Sequence, residues 1–107
     1  MELNKMEFPQ KGENYLRDII NKSKDGIDVR CGTVFLEKGE VLPFKTMDAN
    51  EIALLVSGKL AVSTKGEGTV ELTPGNLIYL DKEENRKTVS LEDSEVFFFL
   101  FKNETGA

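Results

Sequence analysis

Histidine is missing altogether from the 107 residues, and cysteine is down to one. The first absence removes imidazole, a leading ligand of transition metals and the side chain whose unperturbed pKa lies nearest neutrality. Acid–base work at neutral pH would fall to a carboxylate raised, or a lysine lowered, by burial. The lone Cys31 excludes an intramolecular disulfide, makes a reducing cytoplasm the simpler compartment and reads as a small buried hydrophobe in a strand. Apolar runs are short. The longest, Val96 to Phe101, is strand-sized and far below the ~18 residues that cross a membrane, so no membrane partner is expected. Nor does a basic stretch followed by an apolar one, the mark of a secretory signal, open the sequence. Basic charge is also in deficit: 14 Lys and Arg against 19 Asp and Glu give a net charge of −5. Such a surface repels phosphate backbones and argues against nucleic acid as a partner.

What remains is an ordinary globular composition, 39% apolar and 31% charged, at a length that suits one domain. Tyr15, Leu16, Ile19 and Ile20 fall at helical spacing, so a short helix is expected over 14–21, with Gly26 as its stop. Before it, Pro9 and Gly12 punctuate an irregular or edge arm. After Gly26 the pattern turns to β-rich runs: Val29 to Leu36, Glu51 to Val56, Lys59 to Thr64, Thr69 to Thr73, Leu77 to Leu80, Lys87 to Leu91 and Glu95 to Phe101. Glycine-containing turns separate several of them, the signature of a sandwich or barrel. The expected organisation is an N-terminal arm and short helix over 1–28, a β-barrel over 29–103 and a disordered tail over 104–107. Ile52 to Val56 and Val96 to Phe101 are apolar on consecutive residues, so both faces of those strands need cover.

Two spacings stand out. In the first, Gly39 is followed by Lys45, Met47, Glu51 and Gly58; in the second, Pro74-Gly75-Asn76 leads through an apolar strand, Leu77 to Leu80, to Asp81, Glu83 and Arg86. Together they resemble the two motifs of the cupins. The resemblance implies an all-β, single-domain barrel, the double-stranded β-helix or jelly roll. It also implies that the side chains at 45, 47, 51 and 86 face the interior. In a metal-binding cupin three of these positions would be histidine; here they are Lys45, Met47 and Arg86. No metal and no cofactor is therefore expected.

Within the cupins the chain is most similar to the ethanolamine-utilisation, or EutQ-like, group. The residues that carry this are Leu36-Glu37-Lys38, Leu42-Pro43-Phe44, Asn50-Glu51, Leu55 to Leu60, Ile78-Tyr79-Leu80 and Phe97 to Leu100. The group implies a cytoplasmic bacterial protein in or beside the microcompartments that degrade ethanolamine, and an acetate kinase activity has been attributed to its members.

Two readings of Lys45, Met47, Glu51 and Arg86 stand. Either the two cations receive a small anionic metabolite while Glu51 orients it, or the four refill a lost metal site as a structural ion pair. Tyr79 either offers its hydroxyl to the same cavity or packs in the core. Glu51, flanked by two cations, is expected to have a lowered pKa, which makes it a poor acid. The functional expectation is a metal-free cupin that binds a small anion or serves as an accessory protein of ethanolamine utilisation. The alternative is a carboxylate- and magnesium-dependent enzyme such as an acetate kinase, with no catalytic residue assigned. A homodimer is expected, from the arm and the doubly apolar strands.

Overall fold

Strand alternation sets the architecture. Val96, Phe98 and Leu100 are buried, while Phe97, Phe99 and Phe101 between them are half-buried on the opposite face. The computed structural model, which describes residues 1–103, holds nine strands: β1 (Leu16–Lys24), β2 (Ile27–Leu36), β3 (Val41–Lys45), β4 (Asn50–Ser57), β5 (Leu60–Thr64), β6 (Gly68–Leu72), β7 (Leu77–Leu80), β8 (Arg86–Ser90) and β9 (Ser94–Asn103). They form two sheets, ordered β1-β2-β9-β4-β7 and β3-β8-β5-β6, with every pairing antiparallel. Leu36, Leu55, Leu60, Val62, Leu72, Leu80, Val96, Phe98 and Leu100 meet between the sheets as one core.

The expected N-terminal helix is absent among the described residues; its sequence is strand β1. Leu16 pairs with Val34 and Ile20 with Cys31, and the register shifts between Asp18 and Ile20. That bulge at Ile19 places two consecutive isoleucines in half-buried positions, which mimics helical spacing in the sequence. Gly26 stops no helix: Asp25 (φ 54°) and Gly26 (φ 76°) form the tight left-handed turn of the β1–β2 hairpin. The expected boundary at 28/29 accordingly falls inside β2. The arm before β1 crosses the outer face of this hairpin, where Glu2 pairs with Lys22 at 2.6 Å and Glu7 with Arg17 at 3.0 Å. The Thr33 hydroxyl donates to the Glu7 carbonyl, and Pro9 is buried. The expected tail, 104–107, lies outside the described residues. Among the described residues no helix is long and apolar enough to cross a membrane.

One end of the sandwich is sealed by backbone amides and buried hydroxyls. Gly39 N–H donates to the Ser90 carbonyl at 2.7 Å, and Ser90 N–H donates to that of Glu40 at 2.9 Å. The buried Ser94 Oγ accepts from Lys59 N–H at 3.0 Å and lies 3.3 Å from Ser90 Oγ. Gly58 adjoins this knot with φ 95°, and a Cβ there would collide with the Asp93 carbonyl and with Ser94.

Candidate functional site

At the opposite end, two sheets present charged side chains to each other. Glu51 sits on β4 in register with Leu100 and Leu80, both buried, so it faces inward. Arg86 opens β8 on the facing sheet, in register with Lys45 at the end of β3. Antiparallel partners share a face, so the two cations flank the same opening. Met47 follows in the β3–β4 connection and is half-buried against the core.

The Arg86 guanidinium spans the gap. It is 5% exposed. Nη1 donates to Glu51 Oε1 at 2.6 Å, and Nη2 donates to the Asp81 carbonyl at 2.8 Å. Met47 Sδ lies 3.7 Å from Nη1. Nε, by contrast, is buried and has no hydrogen-bond partner. A desolvated donor on a charged group costs on the order of 1–3 kcal/mol or more when nothing accepts from it.

Burial raises the Glu51 pKa above its ordinary value, against the lowering effect of Arg86 and, more weakly, of Lys45. This corrects the expectation drawn from counting charges. Taking the carboxylate out of water outweighs even a short bond to a guanidinium. Glu51 therefore holds a proton to higher pH than a free glutamate does.

These residues line a cavity of about 100 Å³ together with Tyr15, Arg30, Leu42, Phe98 and others. Lys45, Met47, Glu51 and Arg86 thus come together. Tyr79 does not join them. It is in register with Ile52 on the outer face of its sheet, 52% exposed, and donates its hydroxyl to Asp81 Oδ1 at 2.8 Å. Alternation along β7 gives the inward positions to Ile78 and Leu80 instead. Arg30, which lies outside both sequence motifs, is added by the fold. It pairs with Leu100 in register, its Nε is also buried without a hydrogen bond, and Asp18 Oδ1 is 3.7 Å away. Its signal in the sequence is modest: Arg30 is in phase with the inward Val34 and Leu36.

The cation set does not fit a divalent metal. One carboxylate, already bonded to Arg86, and one thioether are the only donors at positions 45, 47, 51 and 86, and the two cations would repel a metal ion. Among the described residues no three His, Cys, Asp or Glu side chains gather as a metal-ligand group.

No protein-family model matches the sequence, and no curated protein matches it either. Solved structures do. An RmlC-like cupin with a double-stranded β-helix fold from Methanocaldococcus jannaschii has a TM-score of 0.68 at 14% identity, over 97% of this chain and 93% of that one. The EutQ protein of Clostridium difficile gives 0.68 at 18% identity, over 81% of this chain and 66% of that one. A protein of unknown function from Rhizobium leguminosarum gives 0.67 at 25% identity, over 94% and 97%. The fold is that of the cupins. Among cupins it is similar to the fold of EutQ.

Proposed function

We propose that this cupin binds a small anionic metabolite in its interior, without a resident metal. The observation that carries the reading is Arg86, whose buried guanidinium lines the cavity with one donor unpartnered. Arg86 and Lys45 outnumber Glu51, so the site has a positive charge to offer, while the charge of Arg30 beside them is balanced by Asp18 at 3.7 Å. An incoming oxyanion beside Arg86 and Lys45 balances their charge in a low-dielectric setting. Thermal-shift measurements with formate, acetate, butanoate and phosphate test this. Stabilisation by at least one anion without magnesium, weakened about five-fold or more in Lys45→Ala, is the expected outcome. No response to any of them in the wild type would remove the reading.

A narrower version makes the protein an accessory of bacterial ethanolamine utilisation, in the cytoplasm or its microcompartments. It is supported by the sequence resemblance to the EutQ-like group and by the fold similarity to EutQ. The competing reading is a carboxylate- and magnesium-dependent enzyme of acetate kinase type. Adding ATP with and without magnesium to the same screen separates the two, because nucleotide stabilisation that requires magnesium would favour the enzyme.

We further infer a homodimer formed through the five-stranded sheet. Its outer face carries Ile52, Leu77 and Tyr79, exposed at 37%, 68% and 52%, beside half-buried Phe97, Phe99 and Phe101. The arm covers only the β1–β2 half of that sheet. A patch of this kind on a small domain marks an interaction surface. Light scattering is expected to give twice the 12.0 kDa of one chain; a monomer mass at micromolar concentration would exclude the dimer.

A further inference from the structure

The interior has two unlike compartments in series. The outer one, about 100 Å³, holds the charges: Lys45, Glu51, Arg86 and Arg30. A second, of about 80 Å³, adjoins it. The two share Val34, Leu42, Glu51, Arg86, Thr88 and Phe98 in their walls. Beyond Glu51, Arg86 and Thr88, every side chain of the inner wall is apolar, with Leu36, Ala53, Leu60 and Leu80 among them. Away from those three residues, water in that chamber would find no polar side chain to bond.

A molecule that matches both compartments has one anionic head and a slender apolar tail. Size narrows it further. The two chambers together are comparable with the ~150 Å³ apolar cavity that accepts benzene, a molecule of six heavy atoms. A carboxylate supplies three heavy atoms, leaving room for a tail of about three or four carbons. Phosphate would use the outer chamber alone and gain nothing from the inner one. A dicarboxylate would bury its second charge among leucines, with Arg86, the one cation of that wall, already engaged by the first.

Resting on the anion-binding reading above, we infer that the ligand class is a straight-chain monocarboxylate of four or five carbons. Its carboxylate lies against Arg86 and Lys45, and its tail lies in the chamber walled by Leu36, Ala53, Leu60 and Leu80. Glu51 stays on the far side of Arg86 and sets the guanidinium in place.

The test is calorimetry and NMR on the full chain with propanoate, butanoate, pentanoate, heptanoate, succinate and phosphate. Affinity is expected to rise about four-fold per methylene from propanoate to pentanoate. It should fall again for heptanoate, which outgrows the chamber, and succinate should bind about a hundred-fold more weakly than butanoate. The terminal methyl of pentanoate should show intermolecular NOEs to Leu60 and Leu80, and none to Met47. In Ala53→Leu, which fills the inner chamber, the optimum should shorten to propanoate; if that variant does not fold, the chain-length profile and the NOE map of the wild type decide alone. A flat chain-length profile, phosphate bound as tightly as pentanoate, or NOEs confined to Met47 would overturn the inference while leaving the anion-binding reading in place. Binding of no anion at all would remove both.

Discussion

The two ends of the sandwich solve the same problem with opposite chemistry. Each must hold polar groups between two sheets. At the Ser90–Ser94 end the groups are hydroxyls and backbone amides, the donors find acceptors, and no charge is buried. At the Glu51–Arg86 end an ion pair bridges the sheets at 2.6 Å, yet a guanidinium N–H is left over and the carboxyl resists ionisation. A closed polar network rigidifies a fold, whereas a half-satisfied one is costly to keep unless a ligand completes it. The contrast separates the end that maintains the structure from the end that has capacity to spare.

The sharpest way to break this comparison is to disturb the sealed end. Gly58→Ala forces a side chain into a left-handed backbone position and against the Asp93 carbonyl and Ser94. Backbone strain and overpacking together should cost about 3–5 kcal/mol in urea denaturation. A loss below about 1 kcal/mol would mean that this end yields easily.

At the charged end, Arg86→Leu should cost a similar or slightly smaller amount, about 3–4 kcal/mol, because Glu51 is then buried without its partner. Adding Glu51→Leu should restore most of that loss, as hydrophobic replacements of buried ion pairs often do. If the double variant is no more stable than the single one, the pair is not a coupled unit. No such rescue is available at the sealed end, where the constraint is steric.

The smallest effect is in pH. Because the folded protein keeps the Glu51 proton to higher pH than the unfolded chain, folding takes up a proton in the window just above the ordinary glutamate value of 4.5. Stability contributed at this site therefore falls as pH rises through that window, then levels once the folded-state carboxyl has ionised. The stability difference between wild type and Glu51→Gln should shift against the wild type over the same range. A difference that moved the other way would show that Arg86 dominates and that the carboxyl is held below its ordinary value.

Much of this was readable in the sequence, and the misses have physical causes. Seven strands follow from β-rich runs and glycine turns. β1 was hidden by its bulge, which replaced alternation by a helix-like spacing at Ile19 and Ile20. β3 was hidden by Pro43, tolerated there because β3 is an edge strand and its register is already broken between Leu42 and Lys45. At the site, motif spacing brought Lys45, Met47, Glu51 and Arg86 together. Arg30 lies in neither motif, so spacing alone does not select it, and the face that Tyr79 takes depends on a one-residue phase along β7. The pKa direction of Glu51 could not be had from neighbours in sequence, since it turns on how much water the fold removes.

β9 lies between β2 and β4 and pairs with both, although everything from Glu37 to Asp93 separates it from β2. The five-stranded sheet therefore cannot be built in order along the chain. Until residues 94–103 have left the ribosome, the β1–β2 hairpin and the β4–β7 pair are two fragments with exposed edges and uncovered apolar faces. With β9, the last of the described strands, needed to join the two fragments, folding is expected on the milliseconds-to-seconds scale of non-local β topologies.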